Sequence, residues 1–68
     1  MVKIMNGVNE ISAALEGRTV AEARAMLAQA LNIGTDAVPM VAGSQVEETY
    51  ELVDGDELEF VKPSGTKG

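Results

Sequence analysis

The chain has 68 residues and a mass of 7.1 kDa, 46% hydrophobic and 24% charged, which leaves room for one domain with one thin core and excludes both a multidomain enzyme and a disordered chain. Eleven acids against five bases, with no histidine, give a formal charge of −6, so a phosphate backbone and an anionic membrane surface are both repelled and basic or neutral proteins are the expected partners. The lack of cysteine as well as histidine removes the thiolate nucleophile, most metal sites and the usual neutral-pH general base, so neither a cofactor nor an enzymatic activity of its own is expected. Met1–Met5 runs into polar Asn6 without the apolar core of a signal peptide, and no stretch approaches the ~20 apolar residues of a membrane span, which makes the cytoplasm the expected location.

Val2 and Ile4 alternate with Lys3 and Met5, the two-residue period of a strand. Asn6-Gly7 follows, a pair that accepts positive φ at both residues and favours a type I′ hairpin turn. Ile11, Ala13 and Leu15 resume the alternation, so residues 2–5 and 10–15 are predicted to form an antiparallel hairpin, ended by Glu16-Gly17-Arg18. Thr19 is a good N-cap, and Glu22 three residues later completes a capping box. Val20, Ala23, Leu27, Ala30 and Leu31 recur at helical spacing, which predicts a helix over 20–32, with Asn32 and Gly34 able to end it in the left-handed conformation.

Residues 37–42 read as a short strand with an edge, bulge or irregular start at Pro39, because proline lacks the ladder donor. Gly43-Ser44 reads as a tight turn and Gln45–Glu47 as a very short strand opposite. Asp54-Gly55-Asp56 is a turn signature, and Glu57–Lys62 alternates with Leu58 and Phe60 inward. Residues 63–68 have no apolar anchor and are expected to be a flexible tail to a domain spanning 1–62. The order β-β-α-β-β-β predicts a two-layer α+β fold. Its predicted core is Val2, Ile4, Leu15, Val20, Leu27, Leu31, Val41, Val46, Leu58 and Phe60.

The Asn6-Gly7 hairpin, the capped helix from Thr19 and the stretch Leu52–Val61 resemble the small sulfur carriers of thiamin and molybdopterin synthesis. Val41–Glu48 is similar to the corresponding run of ubiquitin, and Gly65-Thr66-Lys67-Gly68 resembles the endings of small bacterial ubiquitin-like proteins such as the PRTRC system protein C group. Together these resemblances imply a ubiquitin-like β-grasp, a four- to five-stranded mixed sheet packed on one helix. They also imply a protein modifier or sulfur carrier whose Gly68 carboxylate is adenylated by an ATP-dependent E1-like enzyme. The product would then pass to an E2-like enzyme, with a JAB-type peptidase to reverse conjugation, or to a sulfur-transfer enzyme. Gly65, Thr66 and Lys67 would be read by the activating enzyme; glycine suits a narrow channel because it has no Cβ. The chain departs from the family's two adjacent final glycines in having Lys67 before Gly68.

The ubiquitin-like register also implies that Met40 and Val61, with Met5, share the outward face of the sheet as a docking patch, to which methionine is well suited. Seven acids fall between positions 47 and 59 with no base among them; most such runs are solvated surface, and Asp56 and Glu59 are the candidates for docking a basic partner. Asp54 and Asp56 lack the further ligands of a calcium loop. Tyr50 is expected to anchor a loop by packing. The alternative to a carrier is a non-catalytic β-grasp interaction module that docks through the Met40 and Val61 face or through the acidic edge.

Overall fold

The computed structural model describes residues 1–62, and the predicted tail elements Gly65, Thr66, Lys67 and Gly68 lie outside the described residues. Strands β1 (Val2–Asn6), β2 (Asn9–Ala13), β3 (Val38–Val41), β4 (Ser44–Gln45) and β5 (Glu57–Val61) form one sheet in the order β2-β1-β5-β3-β4, with helix α1 (Val20–Leu27) packed on one side. The two hairpins are antiparallel, β5 lies between them, and β5 runs parallel to β1 and antiparallel to β3. This is the α+β, ubiquitin-like β-grasp architecture. No helix among the described residues is long and apolar enough to cross a membrane.

Both hairpin turns depart from the sequence expectation. In the first hairpin Asn6 pairs with Asn9, so the loop is Gly7-Val8, and only Gly7 has positive φ, at 64°. That is the pattern of a type II′ turn rather than the type I′ turn expected of Asn6-Gly7. Asn6 stays in the strand, and its side-chain amide donates to the carbonyls of Leu31 at 2.7 Å and Asn32 at 3.1 Å. It thus satisfies acceptors that the end of the helical segment leaves open. The type I′ pattern belongs to the second hairpin, where Val41 pairs with Ser44 and the loop is Ala42-Gly43, with φ of 53° and 82°. The turn therefore lies one residue earlier than Gly43-Ser44, and Ala42 takes a left-handed conformation that its Cβ disfavours.

The capping box forms as predicted. The Thr19 hydroxyl accepts from Glu22 N–H, and the Glu22 carboxylate accepts from Thr19 N–H. The N–H groups of Val20 and Ala21 donate to the carbonyls of Tyr50 and Glu48, so the first turn of the helix is closed by the segment before β5. The regular helix is shorter than the predicted 20–32. Beyond Leu27 the chain stays wound through two bonds, Leu31 N–H to Leu27 and Ile33 N–H to Ala28, with Asn32 at φ 54°. The second bond spans five residues around a left-handed residue, which is the Schellman closure. Ala30 is exposed there, off the buried stripe, while Leu31 is buried.

Val2, Ile4, Leu15, Val20, Ala23, Leu31, Ile33, Ala37, Leu52, Leu58 and Phe60 make the core. Leu27, Val41 and Val46, predicted inside, pack against it half-buried, because the helix is short and β4 has only two residues to cover β3. Ile33, Ala37 and Leu52 join the core from loops. Pro39 is buried opposite Phe60, and its carbonyl accepts from Val46 N–H at 3.1 Å. Nitrogen and carbonyl of one strand residue face the same side, so the missing donor of Pro39 falls on the β4 side, beyond the two residues of β4.

Candidate functional site

Side chains alternate along a strand and cross-strand partners share a face, so the register decides what the outer side of the sheet displays. Glu59 pairs with Met5 on one side and Met40 on the other, and Met40 pairs in turn with Gln45, Met5 with Glu10. One row therefore crosses all five strands: Glu10, Met5, Glu59, Met40, Gln45. Next to it lie Val38 and Val61, which pair with each other, and on the other side Lys3 and Glu57. Four of the predicted docking residues, Met5, Met40, Glu59 and Val61, are brought onto one face. Met5 and Met40 are half-buried, and Val61 is 39% exposed.

Glu59 is a carboxylate between two thioethers. That arrangement fits a cation with apolar shoulders, since the methionines adapt their shape while the carboxylate supplies direction. Where β5 meets the tip of the β1–β2 hairpin, a shallow concavity of about 280 Å³ adjoins the row, lined by Asn6, Gly7, Glu59, Phe60, Val61 and Lys62. Lys62 and Glu59 in its lining give it charges of both signs.

Asp56 is placed elsewhere. One of its carboxylate oxygens accepts from the Tyr50 hydroxyl at 2.9 Å and from Val53 N–H at 3.0 Å, which braces the loop before β5. Tyr50, packed against the core, is the loop anchor its sequence context suggested. Its hydroxyl is pushed above the ordinary 10.0, first by the hydrogen bond to Asp56 and then by desolvation, both of which favour the neutral phenol. Asp54 hydrogen-bonds the N-terminal ammonium, and this contact holds its carboxyl below the usual carboxylate range. Of the acidic run, Glu48 also has a fixed partner, leaving Glu57 and Glu59 as its members on the outer face. Among the described residues no group of three or more acids comes together to hold a metal.

Sequence reasoning passed over Arg24, the most connected side chain in the molecule's described part. Its guanidinium donates to both oxygens of Glu48, at 3.3 and 2.7 Å. It also donates to the carbonyls of Gly34 at 3.0 Å and Ala37 at 2.7 Å, and it lies 4.9 Å from the centre of the Phe60 ring. It ties the helix to both long loops over the central strand. In a helix expected over 20–32 Arg24 falls near the middle and gives no signal of this role; only the early end of the helix at Leu27 places it in the last turn.

No protein family, curated protein or solved structure matches the chain.

Proposed function

We propose that the protein is a non-catalytic β-grasp interaction module whose outer sheet face binds a protein partner through a basic side chain seated on Glu59 between Met5 and Met40. The observation that supports this reading is the register itself, which lines up adaptable apolar groups around one carboxylate on the face that does not serve the core. A net charge of −6 speeds the approach of a basic surface. The test uses the wild type, Glu59→Lys, Met40→Glu and a chain lacking residues 65–68 as baits in the same extract. Partners held by the wild type and the truncated chain, and lost with the two face variants, support the module.

The finer reading is a ubiquitin-like modifier or sulfur carrier activated at Gly68 by an E1-like enzyme, with an E2-like enzyme and JAB-type peptidase or a sulfur-transfer enzyme downstream. It draws on the resemblance of Gly65-Thr66-Lys67-Gly68 and on the position of β5, the central strand, which ends at Val61 beside the docking face. Incubation with a candidate activating enzyme and ATP, followed by intact-mass measurement, tests it. An adenylate, thioester or thiocarboxylate supports the carrier; an unchanged mass with Gly68 present, together with binding that survives removal of 65–68, leaves the module alone.

A further inference from the structure

The two edges of the sheet are guarded differently. β4 offers two residues at one edge, whereas β2 at the other is five residues long and exposed from Asn9 to Ser12. Short length, lysine, proline and bulges are what keep natural edges from pairing. β2 has no lysine or proline, and its register with β1 runs unbroken from Asn9 to Ala13. Lys3 N–H donates to the Asp56 carbonyl at 3.0 Å, so the backbone of Lys3 faces β5. Backbone groups alternate sides along a strand, so Val2, Ile4 and Asn6 face β2 and bond with Ala13, Ile11 and Asn9. The N–H and C=O groups of Glu10 and Ser12 therefore point out of the sheet, and among the described residues nothing pairs with them.

We propose that this edge pairs with the same edge of a second copy, β2 antiparallel to β2 about a two-fold axis, so that two five-stranded sheets become one. The strand is self-complementary in one register. Setting Glu10 opposite the partner's Glu10 juxtaposes two carboxylates, and setting Ser12 opposite the partner's Ser12 leaves Ile11 against a small alanine. Setting Glu10 opposite the partner's Ser12 separates the carboxylates and makes about four backbone hydrogen bonds. It also places Ile11, 38% exposed in the single chain, on the axis against the partner's Ile11, in the kind of pair where side chains approach most closely. The contact is smaller than the roughly 1,000 Å² of a stable interface, so the dimer is weak, with a Kd of about 0.1–1 mM. Each copy carries −6, so added salt tightens the dimer by screening the repulsion. Pairing sets two outer faces side by side, and a partner with two binding segments gains avidity from the joined sheet.

Sedimentation equilibrium from about 10 μM to about 2 mM, at low and high salt, spans the expected Kd and tests the pairing. The expected result is a weight-average mass that climbs from 7.1 kDa toward twice that value, more steeply at high salt. Ile11→Lys should hold the mass at the monomer value. Ser12→Lys places an ammonium opposite the partner's Glu10 twice per dimer and should tighten association about threefold or more, whereas Ser44→Lys, the same charge change at the other edge, should not match it. Thermal melts check that the variants fold. A mass that stays at the monomer value across the range at both salt levels overturns the proposal. So does association that Ile11→Lys leaves intact or Ser12→Lys weakens. If an extended lysine-rich peptide shifts the Glu10 and Ser12 amide resonances while the chain stays monomeric, the edge serves a different partner and the self-pairing is likewise overturned.

Discussion

The two faces of the sheet are made by alternate residues of the same strands, yet they differ in almost every property. On the inner face Val2, Ile4, Leu58 and Phe60 are sealed under the helix, each at most 2% exposed. On the outer face their immediate neighbours Lys3, Met5, Glu57, Glu59 and Val61 are half-buried or exposed and mix charge with apolar groups. The inner face must exclude water along its whole width because a chain this short has little other apolar area to bury. The outer face carries no such demand, so its composition is free to serve recognition. Stability and binding should therefore separate by the parity of the residue along each strand.

The widest gap is expected within β5. Phe60→Ala should cost about 3–5 kcal/mol, removing a fully packed ring and the surface on which Arg24 lies, and a domain of this size would then be largely unfolded by circular dichroism at room temperature. Val61→Ala, one residue on, should stay within about 0.5 kcal/mol in the same urea titration. Comparable losses at both positions would mean that the outer face is covered by something else.

Arg24→Ala should cost about 2–3 kcal/mol, since the carbonyls of Gly34 and Ala37 lose charge-assisted donors and Phe60 loses its cation. Arg24→Lys should recover less than half of it, because a single ammonium cannot reach Glu48 in bidentate fashion and both carbonyls as well. Denaturant midpoints of the three proteins check this.

Ala42→Gly should stabilise by about 0.5–1 kcal/mol by relieving a Cβ held at φ 53°. Ala42 caps the β3–β4 hairpin rather than either face, so neither core packing nor binding should change, and a melting curve beside a binding isotherm would show it.

The smallest effect concerns pH. The phenol of Tyr50 has a folded pKa raised above its unfolded value near 10.0. The stability this coupling contributes is therefore complete below about pH 10 and is lost as pH rises through the folded pKa. Tyr50→Phe should lower the melting temperature by a few degrees at neutral pH and flatten its decline above pH 10. The chain has one tyrosine and no tryptophan, so phenolate absorbance reports the titration directly.

Where the chain signalled its structure, it did so through neighbours a few residues apart. The Thr19 and Glu22 capping box, the alternation of Leu58 and Phe60, and the turn at 54–56 all rest on contacts that local spacing describes. Ile33, Ala37 and Leu52 are buried from loops, where no periodicity marks an inward side chain. The regular helix stops at Leu27 rather than Asn32, although every residue in between favours helix, because Asn6 and the burial of Leu31 and Ile33 draw the last turn into a closing motif. That Met5, Met40, Glu59 and Val61 share one face was accessible only through an assumed register; Asp56 was grouped with them by charge, and its carboxylate accepts from Tyr50 and Val53 instead.

By itself the sequence determined which segments extend and which coil, the parity of each strand, and an acidic surface, since propensity, spacing and charge are properties of residues close together in the chain. Tertiary structure alone decided that β5 lies between β1 and β3, that Glu59 has Met5 and Met40 as neighbours, and that Arg24 joins helix to loops. Each of these unites residues ten or more positions apart, and such meetings are selected by the burial of the whole inner face at once, which no local pattern contains.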